Sequence, residues 1–203
     1  MTRLIVAGTD TNIGKTVLAA AIAAATGAAY WKPIQSGTAQ GLDADVASGL
    51  GVRTIYPEAF RLTEPLSPHR AAELDGITIE SAALKLPEGP LVVEGAGGVH
   101  VPVRRDLLFA DLFVSWQLPV VLAARTTLGT INHSLLSIEA LRTRRVPILG
   151  IAFIGDPNSD NEATIAALGG VRRLGRLPWL DPLDAETLAR AFATNFRIED
   201  FIA

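Results

Sequence analysis

The stretch that most limits what this chain can fold into runs from Leu4 to Ile22. Leu4-Ile5-Val6-Ala7 is a short apolar run, Gly8-Thr9-Asp10-Thr11-Asn12-Ile13-Gly14-Lys15-Thr16 is a polar loop, and Val17-Leu18-Ala19-Ala20-Ala21-Ile22 opens an alanine-rich segment. The first suits a buried strand and the last a helix, predicted from Thr16 to Ala25. A helix that opens at the Gly-Lys-Thr step leaves its first backbone N–H groups unpaired and carries about half a positive charge there, so the junction is an anion site. In such a phosphate loop Lys15 reaches the β- and γ-phosphates of a nucleotide and the Thr16 hydroxyl ligates Mg²⁺. The spacing departs from the usual pattern at one point: the first glycine is Gly8, one residue before the expected position, which Thr9 occupies.

Downstream, strands alternate with helices. Ala28-Ala29-Tyr30-Trp31 reads as a second strand ending in Lys32-Pro33-Ile34-Gln35-Ser36-Gly37, and Pro33 holds Lys32 extended. Ligands gather outside the carboxyl ends of parallel strands, so Lys32 and Ser36 are expected on the rim that carries the phosphate loop. Asp43 and Asp45 lie at the start of a short helix, where they either cap it or turn one carboxylate toward Mg²⁺; the sequence leaves both readings open. Residues 52–76, with Pro57, Pro65 and Pro68, are expected to wander irregularly over the surface as a lid that presents Ser67 or His69. Simple exposure is the alternative for His69.

Ile77 to Leu86 is predicted as a helix and Leu91-Val92-Val93 as a buried strand that stops at Glu94-Gly95-Ala96-Gly97-Gly98. An acid closing a parallel strand beside glycines is where a magnesium-side carboxylate belongs. Leu107 to Gln117 is predicted helical, Pro119 to Ala124 a strand, and Ile131 to Arg145 a helix whose start faces the ligand rim and offers a second anion site. His133 is expected to be structural or a cap contact rather than a catalyst, since no carboxylate or nucleophile is spaced beside it. Strand Ile148 to Ile154, helix Asn161 to Leu168, strand Arg173 to Leu177 and helix Ala185 to Phe196 complete the pattern. The reading is α/β: one P-loop NTPase-type three-layer domain over residues 1–203, with a mostly parallel central sheet and helices on both faces.

Composition narrows the partners. With 49% apolar residues in 203 there is enough to bury a full core, and a net charge of −3 offers no general attraction to nucleic acid or an anionic membrane. Cys 0 leaves no disulfide, thiolate metal site or cysteine nucleophile. No apolar stretch approaches the roughly 20 residues that span a bilayer, and no targeting segment is visible, so a cytoplasmic protein is expected.

Seven motifs in order give the chain a resemblance to the dethiobiotin synthetase family of biotin biosynthesis. They are Gly-Thr-Asp-Thr-x-x-Gly-Lys-Thr at 8–16, Lys-Pro-x-x-Ser-Gly at 32–37, Pro-x-Ser-Pro-His at 65–69, Glu-Gly-Ala-Gly-Gly at 94–98, Phe-Ala-Asp at 109–111, Leu-Gly-x-Ile-Asn-His at 128–133 and Pro-Trp-Leu at 178–180. The resemblance implies an ATP- and Mg²⁺-dependent ligase that joins CO₂ to 7,8-diaminononanoate through a carbamate and a carbamic-phosphoric anhydride, giving dethiobiotin, ADP and phosphate. It implies that Lys32 and Lys15 are catalytic. ATP is expected on Asn12, Ile13, Gly14, Lys15, Thr16, Val17, Glu94, Gly95, Ala96, Gly97 and Pro178, and Mg²⁺ on Thr16, Asp45 and Glu94. Thr11 and Ser36 then meet the carbamate or diamine. Gly129, Thr130 and Asn132 receive the substrate's distal carboxylate from the second subunit of a homodimer.

Two positions depart from that family's pattern. Asn12 stands where well-known members carry glutamate, and Ile154-Gly155 stands where an asparagine recognises adenine, which predicts relaxed nucleotide selectivity. A regulatory ATPase of the partitioning type shares the expected fold, but such proteins carry an extra loop lysine where this chain has Asp10. Amide-forming synthetases of the cobyric acid kind append a glutaminase domain with a cysteine nucleophile, which Cys 0 at this length excludes here.

Overall fold

Leu4-Ile5-Val6-Ala7, Leu91-Val92-Val93 and Val120-Val121-Leu122-Ala123 are apolar at every position rather than every second one, so each strand needs cover on both faces. A computed structural model, which describes residues 1–202, provides it. In chain order the strands are β1 (Arg3–Gly8), β2 (Ala29–Trp31), β3 (Ile34–Ser36), β4 (Ile55–Tyr56), β5 (Phe60–Leu62), β6 (Leu91–Gly98), β7 (Pro102–Arg104), β8 (Leu107–Leu108), β9 (Val120–Arg125), β10 (Ile148–Ile154) and β11 (Arg173–Leu177). The helices are α1 (Lys15–Thr26), α2 (Asp43–Gly49), α3 (Pro68–Asp75), α4 (Phe109–Trp116), α5 (Thr130–Thr143), α6 (Ser159–Gly169) and α7 (Ala185–Asn195).

Seven strands form one sheet in the order β11-β10-β9-β1-β6-β2-β4, and every neighbouring pair is parallel. Alternation along each strand divides the core in two. Val6, Tyr30, Val92 and Val121 face the side covered by α1, α2 and α7, while Ile5, Trp31, Val93 and Leu122 face the side covered by α4, α5 and α6. Ala19, Ala20, Ala21 and Ala23 of α1 are buried, and side chains that small let the helix lie close across the sheet. This is the three-layer architecture the alternation of elements predicts.

Three local expectations fail. Residues 52–76 are not irregular throughout: β4 adds to the sheet edge beside β2, β5 pairs with β3, and α3 starts at Pro68, a residue suited to a helix's first turn. Ile77 to Leu86 is not an α-helix and holds only a 3₁₀ turn at Ser81–Ala83. Its two buried residues, Ile79 and Leu84, are five apart, about 140° round a helix, so one helical face could not bury both. The strand expected to end at Val93 runs on to Gly98, because Gly98 pairs with Gly8 across a bulge.

Candidate functional site

The loop from Gly8 to Gly14 joins the end of β1 to the first turn of α1. The shifted first glycine has a steric reason: a Cβ at Gly8 would lie 2.8 Å from Cδ of Lys15 and 2.9 Å from the Asp10 carbonyl oxygen. Gly8 thus makes the groove in which the Lys15 stem crosses the backbone. Gly14 caps α1 with φ 93°, a left-handed conformation that costs other residues about 1–2 kcal/mol. The ammonium of Lys15 donates back to the Asp10 carbonyl at 2.6 Å. Burial pulls the Lys15 pKa down to about 8; Glu94, Asp43 and Asp10 raise it, and Lys32 lowers it further.

The register of the sheet brings the remaining groups together. Trp31 pairs with Val93, so Lys32 and Glu94 follow side by side, on the face that also carries Tyr30 and Val92. Glu94, 1% exposed, is the centre of a dense network. Its Oε1 accepts from Thr16 Oγ1 at 3.0 Å and from Lys32 Nζ at 3.1 Å, and its Oε2 accepts from the Tyr30 hydroxyl at 2.6 Å. Lys32 also donates to Asp43. Burial works to lower the Lys32 pKa, but the carboxylates of Glu94 and Asp43 outweigh it and hold the ammonium above its ordinary range. Burial, and then the Glu94 carboxylate, push the Tyr30 phenol well above its ordinary value, so it stays a donor.

The acid that α2 turns into this cluster is Asp43, which corrects the expectation of Asp45. Asp45 is exposed, and two residues along a helix is about 200° of rotation, so both cannot face Lys32. Thr16, Asp43 and Glu94 together offer a hydroxyl and two carboxylates, hard oxygens of the kind Mg²⁺ takes beside phosphate oxygens.

The other expected residues fall into two groups. Around the loop, Thr11 and Asn12 are exposed, Ile13 is buried, and Gly14, Thr16 and Val17 are half-buried; Gly95 is buried, Ala96 and Gly97 half-buried. Ser36 ends β3 with a buried hydroxyl oxygen that has no hydrogen-bond partner among the described residues. Pro178 is half-buried beside Trp179, a residue 65% exposed. At the start of α5, Gly129 and Asn132 are exposed, whereas Thr130 is buried with its hydroxyl on the Arg125 carbonyl at 2.5 Å. The same helix contributes His133, Leu136 and Ser137 to a cavity of about 430 Å³ whose other walls are Thr9–Thr11 and residues 98–102. His133, exposed there, is a wall residue of that cavity rather than part of the core.

Sequence reasoning missed Tyr30, and it missed the 2.9 Å ion pair between Arg125 and Asp10 that ties the phosphate loop to the end of β9. A signal for Tyr30 was available: it stands two residues before Lys32, so a strand places both on one face. For Arg125 there was none, because the pair spans 115 positions.

A parallel sheet whose central strand feeds a lysine-bearing glycine loop into a helix, with a buried acid on the neighbouring strand that accepts from the helix's first-turn threonine, defines a P-loop nucleotide-binding protein. A family model described as an AAA domain matches residues 2–187. The chain is 57% identical to the ATP-dependent dethiobiotin synthetase BioD of Sphingopyxis alaskensis, over 99% of this chain and 100% of that protein. It is 58% identical to that of Rhizorhabdus wittichii over 99% of both chains, and 55% identical to that of Brucella ovis over 98% of this chain and 96% of the relative. The chain belongs to the ATP-dependent dethiobiotin synthetase family. Among solved structures, the Pyrococcus furiosus cell division ATPase MinD superposes with a TM-score of 0.57 over 98% of both chains at 11% identity, a likeness of fold alone.

Proposed function

We propose that this protein makes dethiobiotin: an ATP-dependent ligase, acting as one domain, that closes a cyclic urea from 7,8-diaminononanoate and CO₂. The observation that supports it most is the gathering of Lys15, Lys32, Thr16 and Glu94 at the mouth of the phosphate loop, in a chain 57% identical to named dethiobiotin synthetases over nearly its whole length. One substrate amine adds to CO₂ and loses a proton, giving a carbamate. A carbamate oxygen attacks the γ-phosphorus of ATP and ADP departs, leaving a carbamic-phosphoric anhydride. The second amine then attacks the carbonyl carbon, the C–O bond to phosphorus breaks, and phosphate leaves as the ring closes.

The residues serve charge and position more than covalent chemistry. Lys15 lies along the phosphate loop, where its ammonium meets the β- and γ-phosphates in place of the Asp10 carbonyl. Lys32, kept protonated by Glu94 and Asp43, faces the charge that builds on the transferring phosphoryl group. Asn12, Ile13, Gly14, Thr16 and Val17 give backbone N–H groups to the phosphates. Thr16, Asp43 and Glu94 would hold Mg²⁺, which when bound would supply positive charge beside the phosphates. The Ser36 hydroxyl, buried and unpartnered, suits the carbamate or diamine, with Thr11 across the loop. Gly95, Ala96, Gly97 and Pro178 flank the nucleotide.

The reaction requires a homodimer, in which the start of α5 from the partner subunit receives the distal carboxylate. Leu128, fully exposed just before Gly129, and Leu136, 56% exposed on the same helix, support that reading. The nucleotide base has no amide at position 155. A Cβ there would lie 2.8 Å from Thr126 Oγ1, and the amides of Asn158 and Asn161 donate to the Thr126 carbonyl at 3.3 and 3.2 Å. Turnover with GTP and CTP within about tenfold of ATP is therefore expected; a far stronger ATP preference would show that another group reads adenine.

Isotope transfer tests the route. With ¹⁸O-labelled CO₂, the bridging oxygen should leave on the phosphate, one label per turnover. Phosphate without label would exclude attack by a carbamate oxygen.

A further inference from the structure

Tyr30 belongs to none of the seven motifs, yet it makes the shortest hydrogen bond to the most buried acid of the site, 2.6 Å to Oε2 of Glu94. We propose that Tyr30 is a positioning residue for the magnesium-side carboxylate, holding Oε2 of Glu94 so that Oε1 alone is offered to Thr16, Lys32 and the ion. The proposal rests on the reading of Glu94 as a magnesium ligand.

The division of labour between the two oxygens is visible in the partners. Oε1 meets Thr16 at 3.0 Å and Lys32 at 3.1 Å, both from the phosphate side, while among the described residues Oε2 meets Tyr30 alone. The torsion that turns a carboxylate about its last bond is broad and soft, so nothing in Glu94 itself fixes the plane of its two equivalent oxygens relative to the phosphates. The Tyr30 ring does not move to suit. It is fully buried, it lies on the strand next to β6, and it packs among Val6, Val92 and the α1 side chains. Removing its hydroxyl leaves that packing but strands Oε2 in a residue only 1% exposed. The carboxylate then turns to find partners, and the oxygen meant for the ion is shared. Groups that orient a metal's ligands carry about 10–100-fold of metal affinity or activity.

The experiment is calorimetric titration of ADP into wild type and Tyr30→Phe, each with and without magnesium chloride. ADP alone should bind both within about twofold, whereas the tightening that Mg²⁺ adds should fall about tenfold in Tyr30→Phe. In turnover, the Mg²⁺ concentration for half-maximal rate should rise by a similar factor, with kcat within about threefold. A folded Tyr30→Phe with a lower melting temperature and unchanged Mg²⁺ tightening would overturn the proposal and leave Tyr30 as packing. If Mg²⁺ does not tighten ADP even in wild type, the ligand reading of Glu94 falls and this proposal with it. If Mg²⁺ tightening is lost in the variant but wild type forms no dethiobiotin, the proposal stands and the functional reading fails. Should Tyr30→Phe not fold, the chain's other tyrosine, Tyr56, can be replaced by Phe and Tyr30 made fluorinated. Its ¹⁹F signal should then shift on adding Mg²⁺ to the ADP complex, and a stationary signal would overturn the proposal.

Discussion

At the scale of single residues the site is a contest between burial and pairing, and Lys15 and Lys32 come out on opposite sides of it. Lys15, whose ammonium donates to the Asp10 carbonyl, has its pKa lowered by burial to about 8, while Lys32, set between two carboxylates, stays above its ordinary value. A polyphosphate beside Lys15 restores what burial removed, so the empty protein is partly deprotonated there above pH 8 and the complex is not. ADP binding at about pH 9 should therefore take up a large fraction of a proton and at pH 7 almost none, read by calorimetry in buffers of different ionisation enthalpy. Equal uptake at both would mean that Lys15 does not meet the phosphates. The aspartates separate in the same way. Asp43→Asn should lower turnover by about tenfold or more, and Asp45→Asn by no more than about twofold. The resemblance pointed to Asp45, whereas Asp43 meets Lys32; spacing alone left both acids open, since the choice depends on which side of α2 faces Lys32.

At the scale of elements, the loop and α1 were legible because their causes are local: a glycine, a lysine and a run of alanines within about two turns of each other. Gly14 tests that statement. Alanine there must adopt φ 93° and bring its Cβ to 3.1 Å from Ile154 Cγ2, so the first turn of α1 shifts. Gly14→Ala should weaken ADP by about tenfold, equivalent to roughly 1.4 kcal/mol, and lower the melting temperature; unchanged affinity would mean the cap geometry is dispensable. Elements with distant causes were not legible. β4 and β5 are two and three residues long and exist because β2 and β3 lie beside them. The Tyr30–Glu94 bond spans 64 positions and follows from the β2–β6 register.

At the scale of the whole molecule, alternating apolar runs fixed a two-faced parallel sheet, but nothing in them sets the order that places β6 between β1 and β2. That order puts Glu94 next to both Thr16 and Lys32. The surface that the proposed dimer would cover is legible in neither alternation nor order, and the fully exposed Leu128 lies at its edge. Leu128→Glu should convert a dimer to a monomer in light scattering and remove most turnover while leaving ADP binding nearly intact; a fully active monomer would place the whole site in one chain. If the protein is a dethiobiotin synthetase, ATP cleavage is coupled to closing a cyclic urea. Phosphate release from ATP and Mg²⁺, followed with and without bicarbonate and 7,8-diaminononanoate and with mass detection of the product, tests it most directly. Release is expected only when both are present, with one dethiobiotin per phosphate; release indifferent to them would contradict that coupling and favour a regulatory ATPase.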